Sequence, residues 1–483
     1  MDLDHDACYR AVKLRDARFD GRFFTAVKTT GIYCRPICPA RTPQSRNVEF
    51  FPTAAAAQEA GFRPCLRCRP ETAPDMAAWR GTSNSVARGL ALIELGALDD
   101  GSVDALAERL GMGERQLRRL FRQHLGASPI GVAQSRRILL AKQLIHETHL
   151  PMTQIAFAAG FGSIRRFNET FVALFGRPPG ALRRLRGPDI AVSAHGELSL
   201  LLRYKPPYDW AAMLGFLAPR AIAGVERVAA GVYSRTMSFA GVQGTLSVQP
   251  AADGHALRAS IRIPRLAVLP NIIARLRRQF DLAADPLSIA AHLRSDPTLA
   301  PLLKQRPGLR VPGAWDGFEL AIRAVLGQQI TVAAAIRLAG RLVAAYGEPL
   351  AEPIDTLTHV FPTPEVLAQA DLTSLGMPRS RAATLSSVAA AAIGNPDLFG
   401  ANCDLEEAIS RLRSIRGIGE WTAQYIALRQ LREPDAFPAA DVGLMRALTD
   451  SEGQRPSAAQ LLERAQAWRP WRAYAAQHLW AST

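Results

Sequence analysis

Four cysteines crowd the first 70 residues in the pattern C-x3-C-x26-C-x2-C: Cys34, Cys38, Cys65 and Cys68. Cys8 and Cys403 stand alone. Two close thiol pairs at this spacing suit one tetrahedral zinc ion, with a small folded loop between the pairs. Two readings of such a site remain open. It can be a purely structural clip that lets a core-poor segment fold, or a reactive centre, since a metal-held thiolate is a nucleophile. Disulfides are the weaker reading, because no secretory signal is legible and the other two cysteines are isolated, which fits a reducing cytoplasm. Arg35, Arg41, Arg46, Arg63, Arg67 and Arg69 surround the pairs. A thiolate cluster set among them would present a cationic surface suited to phosphate.

A second constellation lies near the other end of the chain. LRSIRGIGEWTAQYIALR (412–429) sets Gly417-Ile418-Gly419 between two helical segments. Glycines let a backbone approach an anion closely, and the amides at a helix start favour phosphate, so this reads as a helix-hairpin-helix that grips DNA without reading sequence. Asp441 follows 20 residues after Trp421, at the mouth of an apolar helix. It is either a helix cap, a common role for aspartate there, or a functional carboxylate. Trp421 and Tyr425 are four apart and share a helix face, while Trp468, Trp471 and Trp480 follow. Large aromatics are usually core, so spacing alone leaves their role open.

The elements that must position these residues are partly legible. From Ser102 to Arg186 the chain holds 14 Lys and Arg against 5 Asp and Glu, a surplus of nine out of a net +15. The same stretch is duplicated. Leu106-Ala107, Gly111, Leu117, Phe121, Leu125-Gly126 and Pro129 recur as Ile155-Ala156, Gly160, Phe167, Phe171, Phe175-Gly176 and Pro179. Each copy is a short helix, a glycine turn and a second helix with apolar residues four apart, which is helix-turn-helix arithmetic. The second helices carry Arg115, Arg118, Arg119 and Arg122 in one copy and Arg165 and Arg166 in the other, placed to reach phosphates and guanine edges.

After the turn-rich Arg186-Gly187-Pro188, strands are expected at 198–204, 241–249 and 257–263, with a helical stretch over 206–219. From about Pro301 the chain reads as nearly all helix. At 483 residues it is long enough for three or four domains, and no apolar run reaches the roughly 20 residues of a membrane span. A pI near 10.2 implies a polyanionic partner, nucleic acid before membrane.

Residues 102–186, with IAFAAGF and FGRPP in the second copy, resemble the paired helix-turn-helix of AraC-type regulators. Residues 23–70, from FFTAVKTTGIYCRPICPARTPQSRNVEF to AGFRPCLRCRP, resemble the zinc domain of Ada-type adaptive-response regulators. That resemblance implies that Cys34 accepts a methyl group from a methylated DNA phosphate, with Cys38, Cys65 and Cys68 as fellow zinc ligands. YKPPYDWAAMLGFLAPRAIAGVE (204–226), RPGLRVPGAWDGFELAIRAVLGQQIT (306–331), LGMPRSRA (375–382), the hairpin and WRPWRAYAAQHLW (468–480) resemble AlkA-type 3-methyladenine DNA glycosylases. Here the resemblance implies a TATA-binding-protein-like α+β domain beside helical helix-hairpin-helix domains. It also places the essential carboxylate on Asp441, the aromatic base pocket on Trp421, Tyr425 and Trp480, and DNA contacts on Gly417 and Gly419.

Glycosylases that also cleave the strand carry lysine where this chain has Trp421, so the resemblance implies monofunctional base excision. The chain departs from the pattern at three positions. Gln329 occupies the place of a leucine wedge, Val442 replaces an aromatic after Asp441, and Arg416 stands where the hairpin often has proline. The PCHR segment of the alkylguanine methyltransferase domain is not present.

The expectation is therefore a multidomain, mainly α chain with α+β parts. It comprises a small zinc domain built on the four cysteines (1–78), a double helix-turn-helix (79–187), an α+β domain (195–285) and a glycosylase domain (286–483). Its expected partners are damaged and promoter double-stranded DNA and RNA polymerase, in the cytoplasm, with no membrane partner. The alternative is a regulator whose glycosylase-like half only binds DNA.

Overall fold

The computed structural model describes residues 3–74, 84–184, 197–239, 241–252, 254–400, 403–450 and 452–482. The Arg186-Gly187-Pro188 turn and the expected borders at 78, 187 and 195 lie outside them. The chain falls into two compact units, Met1–Lys205 with Ala251–Ser260 and Arg265–Ala274, and Pro206–Pro250 with Ile261–Pro264 and Arg275–Thr483.

The first unit begins with a small four-stranded sheet. Its strands are β1 (Phe24–Val27), β2 (Ile32–Cys34), β3 (Val48–Phe51) and β4 (Arg63–Pro64), in the order β3-β1-β2-β4. β2 pairs antiparallel with β1, Thr25 opposite Cys34, and parallel with β4, Tyr33 opposite Pro64. That register carries Cys34 at the end of β2 and Cys65 just after β4 to the same edge. Phe24, Ala26, Tyr33, Ala57 and Phe62 fill the core beneath. Cys8 belongs to a second apolar cluster with Ala11, Val12 and Phe23. Burial first, and then the charge of Asp4, pushes its thiol up to about 11, which makes it inert packing.

The duplicated stretch folds as its periodicity requires. Val103–Arg109 and Glu114–Leu125 form the first helix pair, and Met152–Ala158 and Ile164–Phe175 the second. Leu117, Phe121 and Leu125 are buried, and so are Phe167, Phe171 and Phe175, which turns the opposite faces outward. Ser102 caps the first helix of the first pair and Ser163 the second helix of the second pair, each hydroxyl satisfying a backbone N–H left free at a helix N-terminus. A 19-residue helix, Pro129–Glu147, joins the two pairs.

In the second unit the meander Glu226–Ala229, Val232–Phe239 and Val242–Pro250 is antiparallel, with Tyr233 opposite Val248. Strands are found where they were expected, at Val242–Pro250 here and at Leu198–Arg203 and Ala256–Arg262, which fall wholly or mostly in the first unit. The sequence reading missed the other two, because Arg235 and Thr236 break the apolar alternation of Val232–Phe239 although both are buried. Arg235 is matched by Glu319 at 2.8 Å, and Arg323 holds Glu319 at 2.6 Å and Glu226 at 2.5 Å. Burial would raise the Glu319 carboxyl, but Arg235 and then Arg323 overcome it and hold it at about 2. This buried quartet ties the meander to the helix Gly317–Leu326. The rest of the unit is helical apart from one strand pair, Glu348–Ile354 with Leu357–Val360.

Candidate functional sites

The sulfur atoms of Cys34, Cys38, Cys65 and Cys68 all lie within 4.8 Å of one another. A tetrahedral zinc thiolate needs sulfurs roughly 4 Å apart, so the donor set fits that ion in both chemistry and spacing. Without a cation such a cluster is costly to ionise. Hydrogen bonds from Cys38, Cys65 and Cys68, followed by burial, push the Cys34 thiol well above its usual range. Cys65 and Cys68 are buried, whereas Cys34 and Cys38 are half-exposed. Backbone N–H groups donate to the sulfurs of two ligands, Arg35 to Cys68 and Arg67 to Cys65, both at 3.3 Å. Among the described residues no backbone N–H donates to Cys34.

The arginines around the cluster divide into two sets. Arg41, Arg46 and Arg67 are exposed, and Arg63 partly so. Arg35 instead turns inward, ion-paired with Asp20 and bonded to the Cys68 carbonyl at 3.2 Å and Thr72 Oγ1 at 2.6 Å. Arg69 pairs with Glu71 at 3.1 Å and Glu147 at 3.0 Å. The expected cationic surface therefore excludes these two, which brace the site.

The brace reaches the long helix Pro129–Glu147. Lys142, fully buried, donates to the carbonyl of Cys65 at 2.8 Å and to Glu71 Oε2 at 2.6 Å. Burial would raise Glu71, but Lys142, His146 and Arg69 hold it down at about 2. A ligand's own backbone is thus fastened to the helix that joins the two helix-turn-helix motifs. Lys142 was not singled out from the sequence, where a lone lysine in an apolar run reads as solvated surface.

On the first recognition helix Arg115, Arg119 and Arg122 are exposed, and Arg118 is half-buried against Glu114 at 2.5 Å. On the second, Arg165 pairs with Glu169 at 2.7 Å, and Arg166 is exposed. Of the six arginines on these two helices, Arg118 and Arg165 are tied within their own helix.

In the second unit Leu405–Arg413 and Glu420–Ile426 flank the hairpin. Gly417 has φ +90° and packs so closely on Thr384 that a Cβ would meet the threonine hydroxyl at 2.0 Å. Gly419 opens the second helix with nothing crowding it. Arg416 is exposed beside them. Gln328, also missed from the sequence, donates to Gly417 O at 3.1 Å and Thr422 Oγ1 at 3.2 Å. This bolts the turn after Gly317–Leu326 to the hairpin. Its neighbour Gln329 is exposed with φ +59°.

Asp441, Trp421, Tyr425 and Trp480 line one cavity of about 1100 Å³. Asp441 caps the helix Val442–Ala447, its Oδ1 accepting from Leu444 N at 3.0 Å. The same carboxylate accepts from Trp480 Nε1 at 2.8 Å on Oδ1 and from Trp421 Nε1 at 2.8 Å on Oδ2. The cap role is therefore filled, by a carboxylate that also faces the cavity. Tyr425 stacks on Trp421, centroids 5.2 Å apart and planes 9° from parallel. Buried Arg429 lies 5.1 Å from the Trp480 ring centroid and 4.4 Å from that of Phe216. Trp468 is core, fully buried and donating to Asp296 at 2.8 Å.

These features define a zinc-thiolate and helix-turn-helix regulator joined to a base-excision enzyme. Comparison with known proteins agrees segment by segment. Family models match for the metal binding domain of Ada over residues 7–71, a helix-turn-helix domain over 106–185, the AlkA N-terminal domain over 199–316 and the HhH-GPD superfamily of base excision DNA repair proteins over 322–473. A Mycobacterium tuberculosis protein, "Probable bifunctional transcriptional activator/DNA repair enzyme AlkA", is 43% identical over all of this chain and 97% of its own. DNA-3-methyladenine glycosylase 2 of Escherichia coli is 38% identical over 58% of this chain and 95% of its own. The 3-methyladenine DNA glycosylase of Archaeoglobus fulgidus shares the fold, with TM-score 0.53 and 23% identity over 58% of this chain and 97% of its own. The chain belongs to the family of bifunctional transcriptional activators and DNA repair enzymes that join Ada-type modules to an AlkA-type glycosylase. It binds DNA and holds one zinc ion at the four cysteines. No helix among the described residues is long and apolar enough to cross a membrane.

Proposed function

We propose that Cys34 takes a methyl group from a methylated DNA phosphate and that Asp441 carries the excision of alkylated purines of the 3-methyladenine type. Zinc at the four cysteines keeps its ligands as thiolates at neutral pH. Exposure narrows the acceptor to Cys34 or Cys38, and the resemblance to the metal binding domain of Ada favours Cys34. Cys34 Sγ attacks the methyl carbon. The S–C bond forms and the C–O bond breaks, and the phosphate oxygen leaves with the electron pair. One negative charge passes from protein to DNA, so the protein's repulsion from phosphate falls and its promoter affinity rises.

For excision the carrying observation is the meeting of Asp441 with Trp421, Tyr425 and Trp480 in one cavity. The flipped base stacks on the aromatic rings, and the glycosidic bond breaks with its electron pair leaving on the base. Asp441 stabilises the positive charge that develops on the sugar, and water adds there. Trp421 supplies no amine, so the reaction is hydrolysis without strand cleavage. Gly417, Gly419 and Arg416 face the backbone, Gln329 enters the gap left by the base, and Arg118, Arg119, Arg165 and Arg166 meet promoter DNA.

Domain borders at 1–78, 79–187, 195–285 and 286–483 are supported by the four matched segments, although the third runs on to residue 316. An activator of this kind works with RNA polymerase, in the cytoplasm, where six cysteines without a disulfide are compatible with the redox poise.

Asp441→Asn keeps shape and removes charge. It should bind damaged duplex like the parent and lose at least a hundredfold in single-turnover release of alkylated bases, on the order of one electrostatic contact at a reacting centre. Undiminished turnover would leave Asp441 only its cap.

A further inference from the structure

We infer that the indole N–H groups of Trp421 and Trp480 are the positioning device of the excision reaction, a neutral clamp that orients the Asp441 carboxylate without cancelling its charge. This inference rests on Asp441 being the working carboxylate. Each oxygen receives one indole N–H at 2.8 Å, and Oδ1 also receives the backbone N–H of Leu444 at 3.0 Å. All three donors are uncharged.

Among the described residues no Lys or Arg forms an ion pair with Asp441. The charged or titratable groups on the helices that carry it and the two tryptophans are Glu420 and Tyr425 on the helix of Trp421, Arg429 just beyond it, Arg472, Tyr474 and His478 on the helix of Trp480, and Arg446 on its own helix, with Arg472 held by Asp435 at 2.7 Å and Tyr474 donating to Asp281 at 2.8 Å. Of these, Arg429 is spent on Pro312 O and Gln477 Oε1, each at 3.0 Å. Burial, followed by the charge of Arg306, pushes His478 down to about 4, so it is neutral where the enzyme works.

The choice of donor matters. A guanidinium in the same position would fix the carboxylate equally well and neutralise it, removing the attraction for a sugar cation. Indole N–H groups fix the orientation of the carboxylate and carry no charge that would cancel its own. The geometry also assigns the rings a second use. Their N–H edges are committed to Asp441, and one face of Trp421 is covered by Tyr425, so base stacking and carboxylate orientation are set by the same two side chains.

Phenylalanine keeps an aromatic face and deletes the N–H. Single-turnover excision from a hypoxanthine duplex, followed from pH 4.5 to 8, should fall about tenfold near neutrality for Trp421→Phe and for Trp480→Phe, with duplex binding unchanged. The loss should fall on the chemical step and not on binding, and be larger in the double variant, because each lost donor leaves the carboxylate freer to turn away from the sugar. In parent protein labelled with 15N-tryptophan, two downfield indole N–H resonances should shift in Asp441→Asn. Undiminished excision in both single variants, or indole resonances indifferent to Asp441→Asn, would overturn the clamp. Full activity of Asp441→Asn itself would instead overturn the reading on which the clamp rests.

Discussion

Asp441 shows how one side chain takes on two duties when its surroundings supply enough donors. Capping uses Oδ1 toward Leu444, and the two tryptophans then fix the plane of the carboxylate. Stacking of a charged base on these rings has its own measurable consequence. A cation over an aromatic face is worth roughly 0.5–2 kcal/mol. Trp480→Leu should therefore impair release of charged 3-methyladenine several-fold more than release of neutral hypoxanthine, measured on matched duplexes, and equal losses would indicate packing damage. From the sequence, Asp441 and the aromatics were legible as candidates through the hairpin motif and their spacing. The bonds between them were not, since a 20-residue separation carries no information about which edge of an indole meets which oxygen. Gln328 was passed over for the same reason, its role lying wholly in partners some 90 residues away.

Among the elements, the duplicated helix pairs were the most legible, because a stripe with period four and a glycine turn repeat at nearly fixed offset. What repeated less faithfully was the exposed face. Arg119 and Arg122 of the first copy align with Glu169 and Val172 of the second, so the two helices meet DNA with different chemistry. In the unbound protein Arg118 and Arg165 are engaged by Glu114 and Glu169. Arg119→Ala should lower the slope of log affinity against log salt by about 0.9, and Arg118→Ala by clearly less, in promoter-DNA titrations.

The helix Pro129–Glu147 was hidden by its own composition. Its inward Lys142 makes sense only with Glu71 in place, and two buried charges far apart in sequence look like surface. Lys142→Met should cost about 3 kcal/mol in denaturant unfolding of the first unit, followed by hydrogen exchange of this helix, and Glu71→Gln added to it should recover part of that loss. Glu71 is held near 2, below its ordinary 4.5. Its share of stability is therefore complete above about pH 4.5 and drains away as the pH falls toward 2. In Lys142→Met this acid decline should be shallower, because the carboxyl then titrates closer to its unfolded value.

At the scale of the molecule, the residues proposed for methyl transfer and those proposed for base excision belong to different compact units, each with its own buried core and ionic braces. The net charge of +15 brings DNA to both without coupling their chemistry. Cys34→Ala should abolish methyl uptake from methylated-phosphate DNA and leave base excision at the parent rate. Chelation of zinc should go further. Loss of the metal frees Cys65, whose carbonyl is fastened to Lys142, so the helix joining the two DNA-reading pairs should lose exchange protection and promoter binding should fall, again with excision intact. Mass spectrometry of the methylated protein decides the acceptor. One methyl group per chain on Cys34 is expected, and a methyl group on Cys38, Cys65 or Cys68 would reassign it. Loss of excision in either experiment would mean that the glycosylase depends on the zinc-bearing unit, contrary to the separate bracing of the two sites.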